Sequence, residues 1–221
     1  MPLSEVKFTS RPVLKNLGLW KIITVLLYGV GIIGMSIPDL RPIFQFLTPF
    51  HLAISTFSLL LFHAGWNKNF IVFAIGTFLI GFLAEVLGVQ TGILFGEYIY
   101  GPVLGIQLWG VPLMIGVNWF LLTYLTGNLA ERYIANDFLA ALGAAFMMVG
   151  LDILIEPVAV ALDFWQWEGG VIPISNYLGW LGVAFLLQLF YKKAQFPKQN
   201  PLAMTLLLAM TFFFGVLAII L

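Results

Sequence analysis

Seven long apolar runs constrain this chain more than any other feature of its sequence. Each approaches the roughly 20 residues that an α-helix needs to cross the hydrocarbon core of a bilayer. The runs are Leu17–Ile37, Ile43–Phe62, Phe70–Leu87, Trp109–Leu125, Phe138–Ile155, Ile172–Tyr191 and Leu202–Leu221. Hydrophobic residues make up 61% of the chain and charged residues only 9%, more apolar surface than a soluble fold can bury. We therefore predict an all-α, multi-pass membrane protein, with residues 1–221 forming a single integral membrane domain.

Basic residues predict the orientation, because Lys and Arg favour the cytoplasmic loops of membrane proteins. Seven crossings place Arg41 alone on one side. The other side holds Lys7, Arg11, Lys15, Lys21, Lys68, Arg132, Lys192, Lys193 and Lys198. The N-terminus is therefore predicted to be cytoplasmic. The first apolar run is too long for a signal peptide, so we expect it to be a retained helix.

Several classes of protein are excluded by what the sequence lacks. It has no cysteine, which removes thiolate metal sites and thiol nucleophiles, and only two histidines, His51 and His63. The last apolar run contains no lysine for a retinal Schiff base, and there is no nucleotide-binding glycine motif or Asp-rich diphosphate motif. A net charge of zero offers no basic surface for nucleic acid. We predict no metal, no cofactor and no nucleic-acid partner.

Two acidic residues lie within the apolar runs and a third directly follows one, in positions where ionisable groups are costly and usually functional. Glu85 lies near the outer end of the third run, and Asp152 and Glu156 lie near the outer end of the fifth. Asp152 and Glu156 are four residues apart and therefore share a helix face. We expect a polar site in the outer half of the bundle. His51 follows Pro49, and we interpret it as a polar residue of the membrane interface.

The two outer connections share a pattern of an acid followed by two aromatic residues in alternation. Residues 97–101 read EYIYG and residues 163–167 read DFWQW, and a run that contains an asparagine follows each connection. We interpret the likeness between the two connections as chance rather than as a true internal repeat. The sequence alone leaves the internal repeat open as an alternative. An interfacial belt and a site lining explain Tyr98, Tyr100, Trp165 and Trp167 equally well.

These residues suit acid–base chemistry on an apolar substrate. A carboxyl group in an apolar pocket can stay protonated near neutral pH and could protonate an electron-rich alkene. Aromatic faces would stabilise the resulting carbocation, and water near the interface could capture it.

The sequence resembles a family of carotenoid-biosynthesis membrane proteins that includes the carotenoid 1,2-hydratases. The resemblance covers about residues 70–191, through the strings EVLGVQTGILFGEYIY, LGIQLWGVPLMIGVNWF, LDILIEPVAVALDFWQW and ISNYLGW. It implies addition of water to the terminal double bond of an acyclic carotenoid, without a cofactor, in the plasma membrane of a prokaryote. Other enzymes of the carotenoid pathway would be possible partners. Glu156-Pro157 stands where many relatives are expected to have Asp-Pro.

The resemblance also implies which residues form the site. Asp152, Glu156 and Glu85 would be catalytic. Their roles are our own hypothesis from side-chain chemistry: Asp152 with Glu156 would be the proton-donor pair, and Glu85 the base that deprotonates water. Substrate would contact Glu97, Tyr98, Tyr100, Asn118, Trp119, Trp165, Trp167, Asn176 and Trp180, and the motif also includes Thr91.

Three alternatives to a hydratase stay open at the level of sequence. A carotenoid cyclase would form the same carbocation and quench it with an internal alkene. A proton-coupled transporter would need polar residues through both halves of the membrane, whereas we expect the inner halves of the helices to be almost wholly apolar. A scaffold for a pigment-enzyme complex would leave the buried carboxyl groups unexplained.

Overall fold

A computed structural model describes residues 16–221, and seven helices in that range are long and apolar enough to cross a membrane. The helices are α1 (Leu17–Ser36), α2 (Arg41–Leu61), α3 (Lys68–Thr91), α4 (Leu113–Tyr133), α5 (Asp137–Ala161), α6 (Ile174–Lys193) and α7 (Ala203–Ile220). Four short strands accompany them: β1 (Tyr98–Tyr100), β2 (Gln107–Leu108), β3 (Val111–Pro112) and β4 (Trp165–Trp167). The prediction of an all-α, multi-pass membrane protein is confirmed. Lys7, Arg11 and Lys15 lie outside the described residues.

Asparagine caps three of the four helices that run outward from the predicted cytoplasmic side. The side chains of Asn16, Asn67 and Asn136 accept hydrogen bonds from backbone N–H groups in the first turns of α1, α3 and α5, at 2.8–3.1 Å. These bonds satisfy N–H groups that have no partner within the helix. The helix starts are therefore fixed by local sequence.

The fourth helix differs most from its predicted bounds, Trp109–Leu125. It starts at Leu113, because the preceding residues pair as a small antiparallel hairpin between β2 and β3. It continues to Tyr133, past a polar stretch that a hydropathy criterion disfavours. Thr126 in that stretch donates to the Leu122 carbonyl at 2.8 Å, and the Asn128 amide donates to the Lys198 carbonyl, so these polar groups are satisfied.

The core of the bundle is built around α4, the most buried of the seven helices. It packs against α3 and α5, while α5 packs against α6 and α1 packs against α7. Small side chains allow close approach of α5 to its neighbours, since Ala140, Ala141, Ala144 and Ala145 are all fully buried.

The two ends of the bundle carry different chemistry. At the predicted cytoplasmic end, the Lys192 ammonium contacts the carboxylates of Glu131 and Asp137 at 2.5 and 2.9 Å, which ties α6 to the α4–α5 turn. At the outer end, β1 and β4 join the two long connections in a two-stranded antiparallel sheet.

The expectation that the inner halves of the helices are almost wholly apolar is wrong. Gln188 of α6 is fully buried, and its amide donates to the Thr123 carbonyl at 3.0 Å and to the Thr126 hydroxyl at 2.8 Å. His63, just beyond α2, bonds the Tyr124 hydroxyl at 2.7 Å. Because such side chains bond one another and the backbone, they tie helices together at little cost. Hydropathy therefore gives no argument against a transporter.

Candidate active site

The β1–β4 sheet places the aromatic residues of both outer connections on one face. Tyr98 lies opposite Trp167 and Tyr100 opposite Trp165, while Ile99 lies opposite Gln166. Successive side chains in a strand point to opposite faces, so the four rings share the side that faces the bundle. Ile99 and Gln166 are exposed on the other side.

Close contact between the connections holds this sheet together. The Gly101 N–H donates to the Phe164 carbonyl at 2.9 Å. A Cβ atom at Gly101 would lie 2.1 Å from the Asp163 carbonyl oxygen, closer than any side chain can approach. Glycine is required here by the approach of the two backbones.

Glu85 is buried in α3 and accepts three hydrogen bonds from aromatic side chains. Its Oε2 accepts from the hydroxyl groups of Tyr98 at 2.5 Å and Tyr100 at 2.8 Å. Its Oε1 accepts from the indole N–H of Trp119, in α4, at 3.0 Å. The carboxyl group is thus fixed in one orientation by three donors from two elements, β1 and α4.

Burial and the neighbouring Glu85 carboxylate both raise the pKa of Tyr98 above its usual value, in that order of size. The same two causes raise the pKa of Tyr100. Both phenols therefore keep their protons and act as hydrogen-bond donors throughout the physiological pH range.

Glu156 of α5 is held in the same manner by the second strand. Its Oε2 accepts from the indole N–H groups of Trp165 at 3.0 Å and Trp167 at 2.8 Å. Its Oε1 accepts from the Asn176 amide, in α6, at 3.0 Å. Each of the two outer connections therefore supplies two aromatic donors to one buried carboxyl group.

Asp152 lies one helical turn before Glu156 and is fully buried. Its Oδ2 accepts from the amide of Asn176 at 3.0 Å, and Asn176 thus bridges Asp152 and Glu156. The other oxygen, Oδ1, is buried and has no hydrogen-bond partner. Asp152 and Glu156 form a linked pair, as their spacing predicts, and Asp152 is the member with an unoccupied oxygen.

Neutral groups alone hold these three acids. Among residues 16–221, the ion pairs of the structure all involve Lys192 at the opposite end of the bundle. In the same range, no three histidine or acidic side chains converge as the ligands of a metal ion would. The site therefore offers carboxyl groups, phenols, indoles and amides for chemistry.

A small chamber lies between Glu85 and Glu156, among the aromatic side chains that hold them. The centre of a water molecule can occupy about 20 Å³ of this chamber. By the same measure a single water needs roughly 10–15 Å³. Its lining consists of Glu85, Tyr98, Tyr100, Ile115, Asn118, Trp119, Ile155, Glu156, Trp165, Trp167, Asn176 and Trp180. The indole rings of Trp119 and Trp180 stack with their centroids 4.1 Å apart. Asp152 is absent from this lining and lies behind Glu156 and Asn176.

Most residues predicted for the site therefore meet at one place, and two do not. Glu97 is exposed at the outer edge, where its carbonyl accepts the N–H of Glu168 at 2.9 Å. A side-chain hydrogen bond to the Glu97 carboxylate, and the charge of that carboxylate, raise the pKa of Glu168. Thr91 donates to the Leu87 carbonyl at the end of α3. Sequence reasoning missed Ile115 and Ile155, which carry no signal that distinguishes them from other apolar helix residues.

The interpretation of His51 as an interfacial residue is wrong. It lies well inside α2, because the helix starts at Arg41 and continues through Pro49. Its ring packs against Tyr28 with a centroid distance of 4.4 Å, and its Nε2 is buried without a hydrogen-bond partner. His51 lines a second, larger cavity between α1, α2 and α7.

The family comparison covers most of the bundle that builds this site. Residues 45–221 match the family model described as carotenoid biosynthesis protein, and the chain belongs to that family. The match extends beyond residues 70–191 to include most of α2 and all of α7.

One curated relative is bisanhydrobacterioruberin hydratase of the archaeon Haloarcula japonica. It is 36% identical to this chain over 118 residues, an alignment that covers 47% of the chain. The same alignment covers only 39% of the length of the relative. No solved structure matches the chain.

Proposed function

We propose that this protein is a carotenoid hydratase that adds water to the terminal double bond of an acyclic carotenoid. The observation that carries the proposal is the chamber between Glu85 and Glu156, which has room for one water molecule. The family match and the hydratase relative support a carotenoid as the substrate. We further propose the plasma membrane of a prokaryote as its location.

The first step is protonation of the alkene by the Asp152–Glu156 pair. Three buried carboxyl groups with only neutral donors around them are too costly to ionise together, so the cluster retains a proton. Glu156 lines the chamber and gives the proton to the CH carbon of the terminal double bond, so that its dimethyl-bearing carbon becomes the cation. Asp152, linked through Asn176, shares that proton and replaces it. A new C–H bond forms and the positive charge moves to the tertiary carbon.

The second step is capture of the carbocation by water. The faces of the indole and phenol rings around the chamber stabilise the positive charge. The water oxygen forms the C–O bond, and Glu85 accepts the proton that water loses. Tyr98 and Tyr100 hold Glu85 in the orientation that this requires. Return of that proton to the Asp152–Glu156 pair completes the cycle, and the net change is the addition of one H₂O without redox.

Mass spectrometry of pigments tests the proposal. The full chain is expressed in a bacterium that accumulates lycopene, and insertion into the membrane is verified. The expected product is heavier than lycopene by one water and keeps an unchanged chromophore. A ring-containing product of unchanged mass would identify a cyclase. Unaltered lycopene, together with unaltered forms of other acyclic carotenoids, would contradict both activities.

A further inference from the structure

A larger cavity lies directly beside the acid chamber. This α1–α2–α7 cavity has a volume of about 330 Å³, within the roughly 300–1,000 Å³ typical of small-molecule sites. Four residues line both spaces: Ile115, Asn118, Ile155 and Trp165. A single layer of side chains thus separates the cavity from the chamber. A long molecule bound in the cavity would have its end at the mouth of the chamber.

The walls of the α1–α2–α7 cavity are suited to a hydrocarbon. They consist mainly of leucine, isoleucine, valine, phenylalanine and methionine side chains. The Thr48 hydroxyl is already bonded to the Phe44 carbonyl at 3.0 Å, and the Tyr28 hydroxyl is bonded to Ser55 at 3.2 Å. An occupant therefore meets apolar atoms along most of its length.

The cavity also reaches the surface that faces the lipid. Val30 of α1 and Phe50 of α2 line it, and they are 52% and 55% exposed on the outside of the bundle. An extended polyene is about as long as the hydrocarbon core of a bilayer is thick, roughly 30 Å. Such a chain is too long for this cavity alone and would extend between the helices into the lipid.

We infer that the α1–α2–α7 cavity binds the part of a polyene chain next to its reacting end, and that the chain enters from the bilayer between α1 and α2. The ligand class rests on the proposed function. The cavity orients the end group so that its terminal double bond lies beside Asn118, at the mouth of the chamber that holds the water. Specificity then comes from the end group and the adjacent carbons, while the remainder of the chain stays in lipid.

Two glycines of α1 provide a matched test. Gly31 lines the cavity, and a Cβ atom there would lie 3.0 Å from the Phe213 ring. Gly29 has nothing within 4 Å of an added Cβ and does not line the cavity. Gly31→Leu fills the cavity, whereas Gly29→Leu changes the same helix without filling it. Both are made in the active protein and in an Asp152→Asn background, where bound pigment is not consumed.

Two quantities are measured: lycopene retained by the purified Asp152→Asn protein, from its absorbance, and hydrated product from the active protein. Gly31→Leu should lower both by about tenfold or more, the equivalent of losing 1.4 kcal/mol of binding. Gly29→Leu should match its parent. Leu47→Trp, which fills the cavity from α2, should act as Gly31→Leu does. Phe46→Trp, at a residue that is 69% exposed and outside the cavity lining, is its control.

Wild-type retention and product in both filled variants would overturn the inference. If retention depends on Gly31 but no hydrated product forms, the binding site stands and the proposed reaction fails. If Gly31→Leu forms hydrated product at the normal level, the proposed reaction stands and the binding site in the cavity fails.

Discussion

The three buried carboxyl groups differ in how many donors hold them. Glu85 and Glu156 each accept three hydrogen bonds, whereas Asp152 accepts one and keeps an oxygen without a partner. Donors stabilise the charged form of a carboxyl group, so the group with fewest donors is the best reservoir for a proton. The sequence was enough to single out these acids as candidates, since Glu85 and Asp152 lie inside apolar runs and Glu156 directly follows one. Which aromatic side chain bonds which acid depends on strand register, and no local pattern encodes that.

Asp152→Asn should abolish hydration while the protein still folds and inserts. An amide has the shape of the carboxyl group and its oxygen can still accept from Asn176, but it has no acidic proton to give. General acid catalysis typically contributes about 10²–10⁴-fold, so product per inserted protein should fall at least about a hundredfold. Asp163→Asn is the control, because Asp163 is exposed and its positive φ of 57° is one that asparagine tolerates. Near-normal turnover by Asp152→Asn would remove this residue from the mechanism.

Tyr98→Phe should weaken catalysis and lower the free energy of unfolding. The change removes one of three donors to Glu85 and leaves the ring in place. A hydrogen bond to a charged group contributes about 1.5–3 kcal/mol, so a loss of that size is expected in denaturant unfolding. Tyr133→Phe, at a residue 74% exposed, should change neither quantity. Equal effects of the two substitutions would show that the Tyr98 hydroxyl does not support Glu85.

At the scale of elements, the helices were predictable and the strands were not. Apolar runs near 20 residues gave all seven helices, because lipid selects for that length whatever the tertiary packing. Strands β1 and β4 have three residues each, too few to show a period, and their pairing joins segments 67 residues apart in the chain. The shared alternation of aromatic residues in the two connections was visible. Only the structure shows the reason for this alternation, which is that the rings share the face of the β1–β4 sheet next to the acids.

Gly179→Ala should destabilise the bundle where α6 meets the outer connection. A Cβ atom at Gly179 would lie 2.3 Å from the Leu94 carbonyl oxygen, and backbone there cannot move aside cheaply. Overpacking of this kind costs about 1–3 kcal/mol. Gly182→Ala, three residues later on α6, has open space around its added atom and should be neutral or slightly stabilising. Thermal unfolding in detergent compares the two variants, and equal Tm values would contradict the close contact.

At the scale of the whole molecule, the placement of acids, aromatics and basic residues follows one axis. The carboxyl groups, the β1–β4 sheet and the chamber lie toward the outer end, and Lys192 with its two acidic partners lies at the other. The sequence predicted this polarity from the basic residues alone. It could not predict the α1–α2–α7 cavity, because the volume between helices depends on how α1, α2 and α7 pack, and their lining residues look like any lipid-facing residues.

The same axis predicts which loops face the cytoplasm, and the chain allows a direct test because it has no cysteine of its own. Asp39→Cys, between α1 and α2, and Glu168→Cys, beside β4, are exposed and should react with a membrane-impermeant maleimide in intact cells. Gln195→Cys, after α6, is also exposed in the structure but should react only after the membrane is permeabilised. A cytoplasmic N-terminus gives this pattern, because one crossing precedes Asp39, five precede Glu168 and six precede Gln195. Labelling of Gln195→Cys in intact cells, with protection of Asp39→Cys, would reverse the orientation and place the acid chamber at the cytoplasmic end of the protein.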